Sequence, residues 1–360
     1  MSFTLTAEPV VIDGARSYAE HSGIALSARK TRCEGLRGSL PPPPQRPDGR
    51  AVGGFCAAIR GSLATPLAAV VFGFAFAAAI VCGAFLPMAA VADTTTAKHS
   101  EKAFVICSFN MRTDCGADKG DLTWMNRLPR ILKIIESHRM DVIGAQELKE
   151  NQVAHLRAAL EPKGCKMVGR GRLAEGKSEG VYIIYNAKRF DCTASDTFQL
   201  SKTPDVWGSS SWNSAYPRTC VWVQLKDRET GKEFRFYNTH LDNESELARR
   251  KGMELVVGRI NADVSAGMTA FLTGDFNNEL EPRNAIDYVR KSMNDTAALS
   301  VAPHQGPVNT FHGYNPKACM LIDYIFVKGK VRVLSHATLD DMPEGKYPSD
   351  HFPVVATVTL

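Results

Sequence analysis

The sequence predicts an α/β protein, a four-layer α/β-β/α sandwich of two packed mixed sheets. Three observations predict it. The body opens as strand–helix–strand, the signature of a parallel pair joined by a crossover helix. A second half repeats that mixture of strands and helices after a strand-rich middle. From residue 102 to residue 360 no Pro/Gly/Ser-rich linker and no short-period repeat intervenes, so the two halves form one domain. Sheets that share a domain bury their apolar faces against each other and carry their helices outside.

Taken in order, Phe104 to Met111 is a continuous apolar run and reads as a buried strand. Trp124 to His138 has helical spacing, with Leu128, Ile131, Leu132 and Ile135 on one face. Asp141 to Ala145 is a short apolar strand, and Asn151 to Leu160 a second amphipathic helix. Strands then follow at Lys166–Gly169, Val181–Tyr185, Thr197–Leu200, Thr219–Leu225 and Phe234–Thr239, rich in β-branched and aromatic residues. Glu244 to Ala262 reads as a long helix with Leu247, Met253, Val256, Val257 and Ile260 inward. Thr269–Thr273 is a strand, Pro282–Arg290 a short helix with Pro at its start, and Leu321–Val327 and Val354–Leu360 are closing strands.

The first ninety residues do not belong to this pattern. Residues 1–62 carry Pro41 to Pro44, scattered Arg and no apolar period; they read as a disordered leader, and a mis-assigned start codon explains them equally well. Leu63 to Pro87 is uncharged and rich in Ala, Val and Phe, with Arg60 before it and Ala90-Val91-Ala92 behind it. Those are the parts of a signal peptide with cleavage after Ala92. The run is also long enough for an uncleaved transmembrane anchor across about 30 Å of hydrocarbon. Residues 63–92 are therefore expected to be one or the other, and residues 93–101 a polar linker. Either reading exports the domain, as a periplasmic, secreted or membrane-tethered protein, with membrane association through residues 63–87.

Composition excludes several classes. With 44% hydrophobic and 22% charged residues the chain is not wholly disordered, collagenous or a multi-span membrane protein. Residues 1–92 hold eight Lys/Arg against five Asp/Glu, leaving 35 against 33 in residues 93–360 and a net of only +2 there. A body so nearly neutral has no field for bulk electrostatic capture of nucleic acid. Six cysteines fall in the body: Cys107, Cys115, Cys165, Cys192, Cys220 and Cys319. Export permits disulfides, but a domain this large can build a core without them, and Cys107 and Cys220 sit in apolar strands as buried thiols. No CxxC spacing signals structural zinc.

Chemistry-bearing residues collect at the ends of apolar strands. Asn110 ends FVICSFN, Gln146-Glu147 ends DVIGAQE, His240 and Asp242 end FYNTHLD, and Asp275 and Asn277 end AFLTGDFN. Asp323 interrupts LIDYIFV, and Asp350-His351 precedes FPVVATV. A strand delivers its terminal side chain rigidly to the sheet rim, where loops leave room for substrate. One such case is ordinary; six, all carboxylate, amide or imidazole, describe a site. Hard oxygen donors with few histidines favour Mg²⁺ or Mn²⁺ (Ca²⁺ shares the preference) over zinc. The set suits metal-assisted phosphoester hydrolysis, which needs a base for water and positive charge or donors for the phosphoryl oxygens. A charge inside LIDYIFV demands a partner.

The set SFNMR, AQE, NTHLD, TGDFN, IDYIF and PSDHFPV resembles the endonuclease/exonuclease/phosphatase superfamily, over residues 102–360 and in order. That is the fold of pancreatic-type deoxyribonuclease, apurinic endonuclease, sphingomyelinase and inositol polyphosphate 5-phosphatase. SEGVYIIYN, FQLSKTPD, SSSWNSAYPR and TFHGY are similar to a bacterial-type subgroup whose members are often exported. The resemblance implies Glu147 as principal metal ligand, with Asn110 beside it. It implies Asp275 positioning the attacking water and Asn277 holding a phosphate oxygen. His351 would be the acid/base group, oriented by Asp323, with Asp350 aiding a metal or the network. His240 would donate to the phosphoryl oxygens with Glu179 as its carboxylate partner, and Arg218 would contact phosphate. One departure matters. Several nucleases of the superfamily place an acid two residues after the first-strand Asn; here Arg112 stands there, which argues for one metal rather than two. The Tyr that nucleases place before the third strand is also missing; Lys177 and Ser178 lie near there.

The expected function is therefore divalent-metal-dependent hydrolysis of phosphodiester bonds, with nucleic acid among the substrates. The alternatives are a phosphomonoesterase or phosphodiesterase on lipid, inositol or sugar-phosphate headgroups, and a non-catalytic binding module on the same fold. No protein partner is expected. Trp207 and Trp212, in a Ser/Gly-rich loop, serve either substrate stacking or loop anchoring, and His312 is a site residue or a core one. The run Ala248 to Lys251 reads as the solvated face of a helix, not a nucleic-acid patch.

Overall fold

The computed structural model describes residues 102–173, 178–315 and 319–360. The leader, the signal or anchor segment and the linker lie outside the described residues. Among the described residues no helix is long and apolar enough to cross a membrane.

The expected sandwich is present. The first sheet runs β11-β12-β1-β2-β4-β3 and the second β5-β6-β7-β8-β10-β9. The first comprises β1 (Phe104–Asn110), β2 (Val142–Leu148), β3 (Cys165–Gly171), β4 (Gly180–Asn186), β11 (Arg332–Thr338) and β12 (Val354–Thr359). The second comprises β5 (Phe190–Gln199), β6 (Thr219–Asp227), β7 (Glu233–His240), β8 (Thr269–Asp275), β9 (Asn294–Asp295) and β10 (Asp323–Lys328). Each sheet has one parallel pair, β1 with β2 and β7 with β8; their other pairings are antiparallel. Helix α1 (Trp124–Ser137) makes the first crossover and α3 (Glu246–Ser265) the second. Among the described residues the other α-helices are α2 (Glu150–Leu160), α4 (Ala285–Arg290) and α5 (Thr296–Leu299).

Three apolar layers follow from this order. Between the sheets, Phe104, Ile106, Ile183, Val354 and Ala356 of one face pack with Val221, Val223, Phe234, Phe236, Phe271 and Ile325 of the other. Outside the first sheet, Ile131, Ile134, Ile135, Val153 and Leu156 of α1 and α2 cover Cys107, Phe109, Ile143 and Ile184. Outside the second, Met253, Val256, Val257, Ile260, Ile286 and Val289 of α3 and α4 cover Tyr237, Ala270, Leu272 and Phe326. A central strand such as β8 is buried on both faces, so its sequence lacks the polar alternation of a half-exposed strand.

A polar bridge crosses the inter-sheet core just beneath the rim. Gln146 Nε2 donates to Asn238 Oδ1 (2.7 Å), and Asn238 Nδ2 donates to the Ala145 and Tyr182 carbonyls (2.9 and 3.0 Å). Thr273 Oγ1 donates to Asn238 Oδ1 (3.2 Å). Gly144 makes room for it: a Cβ there would stand 2.1 Å from Thr273 Oγ1 and 2.6 Å from Asn238 Oδ1. The bridge fixes the two sheets relative to each other at the level from which the site residues project.

The structure differs from the sequence reading at edges. β5 begins at Phe190, seven residues before its expected start, because its outward residues Asp191, Ser195 and Asp196 are polar and its middle is bulged between Cys192 and Ala194. β11 carries Ser335 and His336 and has no apolar run to announce it. In α3 the first turn turns Ala248 inward and leaves the expected Leu247 exposed. No disulfide joins the described cysteines, and Cys107 and Cys220 are buried as expected.

Candidate active site

The parallel pairs explain why the site forms where it does. β1 and β2 end side by side, with Asn110 opposite Gln146. In the other sheet His240 is opposite Asp275, and Asp275 opposite Asp323, so three strands put three titratable groups in one row. Both rows lie at the carboxyl ends of the parallel strands, the edge at which open α/β sheets gather ligands.

Asp323 and His351 form a buried dyad, each 1% exposed, with His351 Nδ1 2.8 Å from Asp323 Oδ2. Thr310 Oγ1 donates to the same oxygen (2.6 Å), fixing the carboxylate. Burial alone would lower the His351 pKa, but the charge and hydrogen bond of Asp323, aided by Asp275 and Asp350, overcome it and lift it to about 10. Nε2, the other ring nitrogen, has no hydrogen-bond partner among the described residues and lies 3.8 Å from Asp275 Oδ2. The dyad thus leaves Nε2 for proton transfer.

Opposite it stands a carboxylate pair. Asn110 Nδ2 donates to Glu147 Oε1 (3.1 Å) and to Asp275 Oδ2 (2.9 Å). Glu147 sits at φ 65°, where β2 bulges between Ala145 and Leu148, and the bulge re-aims its side chain. Arg112 (φ 52°) and Asn277 (φ 48°) at the same rim also occupy the left-handed region. Glu147, His240 and Asp275 offer donor atoms within 4.8 Å of one another, and Asp275, Asp323 and His351 do the same. Two buried carboxylates a few ångströms apart repel each other; a divalent cation removes the repulsion, and the oxygen donors match Mg²⁺ or Mn²⁺. The residues present therefore fit a metal at Glu147 and Asp275. Asn110 can join it only by turning its amide, since its Oδ1 now accepts from Arg112 N (3.0 Å).

Asn277 Nδ2 lies 2.9 Å from His240 Nε2 and donates to the Leu241 carbonyl (3.0 Å), while its N–H donates to Asp275 Oδ1 (2.9 Å). His240 Nε2 lies 3.4 Å from Asp275 Oδ2. A narrow side cleft, with room for about one water, opens from this row, lined by Glu147, Arg172, Glu179, Arg218, Thr219 and His240. Glu179 thus shares a wall with His240, and its charge is met by Arg172 at 3.4 Å. Burial and the nearby Glu147 push its pKa up. Arg218 is held by Asn243 Oδ1 (2.8 Å) and Asp242 Oδ2 (3.5 Å), and burial plus the like charge of Arg172 bring its pKa down to about 10. Asp242 also accepts from Ser214 Oγ and the Ala215 N–H, so it ties the 201–217 loop to Arg218.

Asp350 has Arg112 Nη1 on its Oδ2 at 2.7 Å, while the same guanidinium grips Asp118 bidentately (2.7 and 2.8 Å). The guanidinium thus stands as a fixed cation on the side where Asp350 lies. Trp207 packs its ring against Arg170 at 3.4 Å, a loop-anchoring contact. His312 is 1% exposed and stacks on Tyr347 and Phe352, and burial lowers its pKa to about 4.

Two site residues were missed in the sequence. Arg127 is fully buried and donates to four carbonyls, those of Met111, Arg112, Leu122 and Pro348. It joins the end of β1 to the loop that delivers Asp350-His351. Its signal was an arginine inside the apolar spacing of α1, where a charge needs partners. Arg172 follows β3 in the alternation Arg170-Gly171-Arg172, which sends both arginines to one face.

The chain belongs to the endonuclease/exonuclease/phosphatase family, whose model matches residues 107–351. No curated protein matches it. Among solved structures, an endonuclease/exonuclease/phosphatase from Bacteroides vulgatus is 31% identical over 72% of this chain and 99% of its own, with a TM-score of 0.67. A mannosyl-6-phosphatase from Bacteroides thetaiotaomicron is 31% identical over 71% of this chain and 100% of its own, with a TM-score of 0.66. D. rerio TDP2, solved with a single-stranded DNA product, is 16% identical over 72% of this chain and 99% of its own, with a TM-score of 0.57, a likeness of fold alone.

Proposed function

We propose that this chain is a divalent-metal-dependent phosphoesterase that cleaves its substrate by in-line attack of water on phosphorus. The observation that supports it is the convergence of Asn110, Glu147, His240, Asp275, Asn277, Asp323 and His351 at one rim, from strand ends and loops far apart in sequence. A Mg²⁺ or Mn²⁺ ion held by Glu147 and Asp275, with Asn110 beside it, would supply Lewis-acid polarisation of a phosphoryl oxygen.

The chain's own residues do the rest. His351 takes the proton of the attacking water at Nε2, and Asp323 stabilises the imidazolium so formed. Asp275 orients that water. Asn277, His240 and Arg218 donate to the phosphoryl oxygens as charge grows on them. Glu179 and Asp242 position His240 and Arg218, and Asp350 belongs to the Arg112 network. That network supports one metal rather than two, because a guanidinium already compensates Asp350.

Substrates in this reading include sugar phosphates, on the strength of the Bacteroides mannosyl-6-phosphatase, and nucleic-acid phosphodiesters, the family's other use. The apolar run at residues 63–87 supports export. The test is a panel of p-nitrophenyl phosphate, bis(p-nitrophenyl) phosphate, inositol and sugar phosphates and plasmid DNA, assayed with Mg²⁺ or Mn²⁺. Turnover abolished by chelation and by His351→Ala is expected; inactivity on the whole panel would contradict the proposal.

A further inference from the structure

Arg172 has no role in the proposed mechanism, yet it lines the same cavity as Glu147 and His240. Its backbone is fixed on both sides: its N–H donates to the Glu179 carbonyl (2.9 Å), and its own carbonyl accepts from Gln199 Nε2 (3.2 Å). Its guanidinium lies 4.5 Å from the centroid of the Tyr216 ring, and the Arg218 guanidinium lies 5.7 Å from the same centroid. Tyr216 is therefore a shared backing that holds two like charges toward one small cavity.

The donors of the two arginines are differently committed. Arg218 spends hydrogen bonds on Asp242 and Asn243. Among the described residues the Arg172 guanidinium makes one ion pair, with Glu179 at 3.4 Å. A guanidinium carries five N–H donors in a planar fork matched to carboxylate and phosphate. Glu179 and Asp242 offset part of the repulsion between the two forks, and an anion with several oxygens would engage the donors they leave.

Resting on the phosphoesterase reading, we infer that Arg172 and Arg218 form a two-guanidinium clamp for the phosphoryl dianion, so that Arg172 selects phosphomonoesters over phosphodiesters. A monoester phosphate carries about −1.5 to −2 charge at neutral pH, with a second ionisation near pH 6. It presents three peripheral oxygens. A diester carries one charge and has a carbon on one of those oxygens.

The experiment compares p-nitrophenyl phosphate with bis(p-nitrophenyl) phosphate, which share a leaving group, in the wild type and in Arg172→Gln and Arg172→Lys. In Arg172→Gln, kcat/KM on the monoester should fall roughly 10- to 100-fold, the worth of a charged hydrogen bond, and on the diester less than about 3-fold. Arg172→Lys should restore part of the monoester rate. The rise of monoester kcat/KM through pH 6, which reports preference for the dianion, should flatten in Arg172→Gln. Calorimetric titration with inorganic phosphate should show the same weakening without turnover. Equal losses on both esters, or unchanged phosphate affinity, would overturn the clamp. A wild type that turns over neither ester but binds phosphate through Arg172 would sink the hydrolase reading and keep the clamp.

Discussion

Replacing Asp323 by Asn tests the dyad with almost no change of shape. Both dyad residues are buried, and the carboxylate is 2.8 Å from His351 Nδ1. Burial pulls the His351 pKa down and Asp323 is the first of the groups that lift it to about 10. The rise from the ordinary 6.5 to about 10 corresponds to about 5 kcal/mol in favour of the imidazolium, at about 1.4 kcal/mol per pH unit. Asn keeps the volume and loses the charge, so most of that preference should vanish; where His351 is neutral in both proteins, kcat should fall roughly 10²–10³-fold because the imidazolium formed in the transition state loses its partner. The pH profile moves as well. In the wild type the neutral, base-competent imidazole is the alkaline form; in Asp323→Asn the basic limb should shift to lower pH. Stability follows with a definite sign. A folded pKa above the unfolded value stabilises fully below about pH 6.5 and loses that contribution as pH rises through about 10. The stability gap between wild type and variant, measured by denaturant titration in chelator, should therefore close over that window. Steady-state phosphate release from pH 5 to 10 is the assay. A kcat within about 3-fold of wild type, with an unmoved pH profile, would refute the reasoning.

Two further predictions concern the scaffold. Gly144→Ala places a methyl 2.1 Å from Thr273 Oγ1 and should break the inter-sheet bridge, lowering stability by about 2–4 kcal/mol; thermal and denaturant melts check it. Arg127→Leu removes the guanidinium donors of the Met111, Leu122 and Pro348 carbonyls and one of the two donors of the Arg112 carbonyl, and should destabilise by about 3 kcal/mol or more while cutting kcat through displacement of His351; melts and turnover together test this.

The strand ends were legible because a buried strand announces itself as an apolar run, and the first polar residue after it marks the rim. Asn110, Glu147, His240 and Asp275 were readable for that reason, and Asp323 because a charge in an apolar strand needs a partner. Asp323 finds it in His351, 28 residues away. What the sequence hid was pairing and aim. β11 and the outer part of β5 lie at or near edges, where polar residues dilute the period. Arg172 owes its place to the β3–β4 pairing and to the approach of the 201–217 loop, neither of which is a local property. The left-handed backbone of Glu147 follows from the bulge in β2, and nothing in its side chain predicts that.

The most direct measurement is divalent-ion binding in wild type and Glu147→Gln, read by calorimetry and by turnover across the same Mg²⁺ or Mn²⁺ titration. One ion per wild-type chain is expected, with chelation abolishing activity, and the variant should need at least about tenfold more metal for half-maximal rate. Superimposable titrations for the two proteins, or full turnover in chelator, would contradict a metal seated at Glu147.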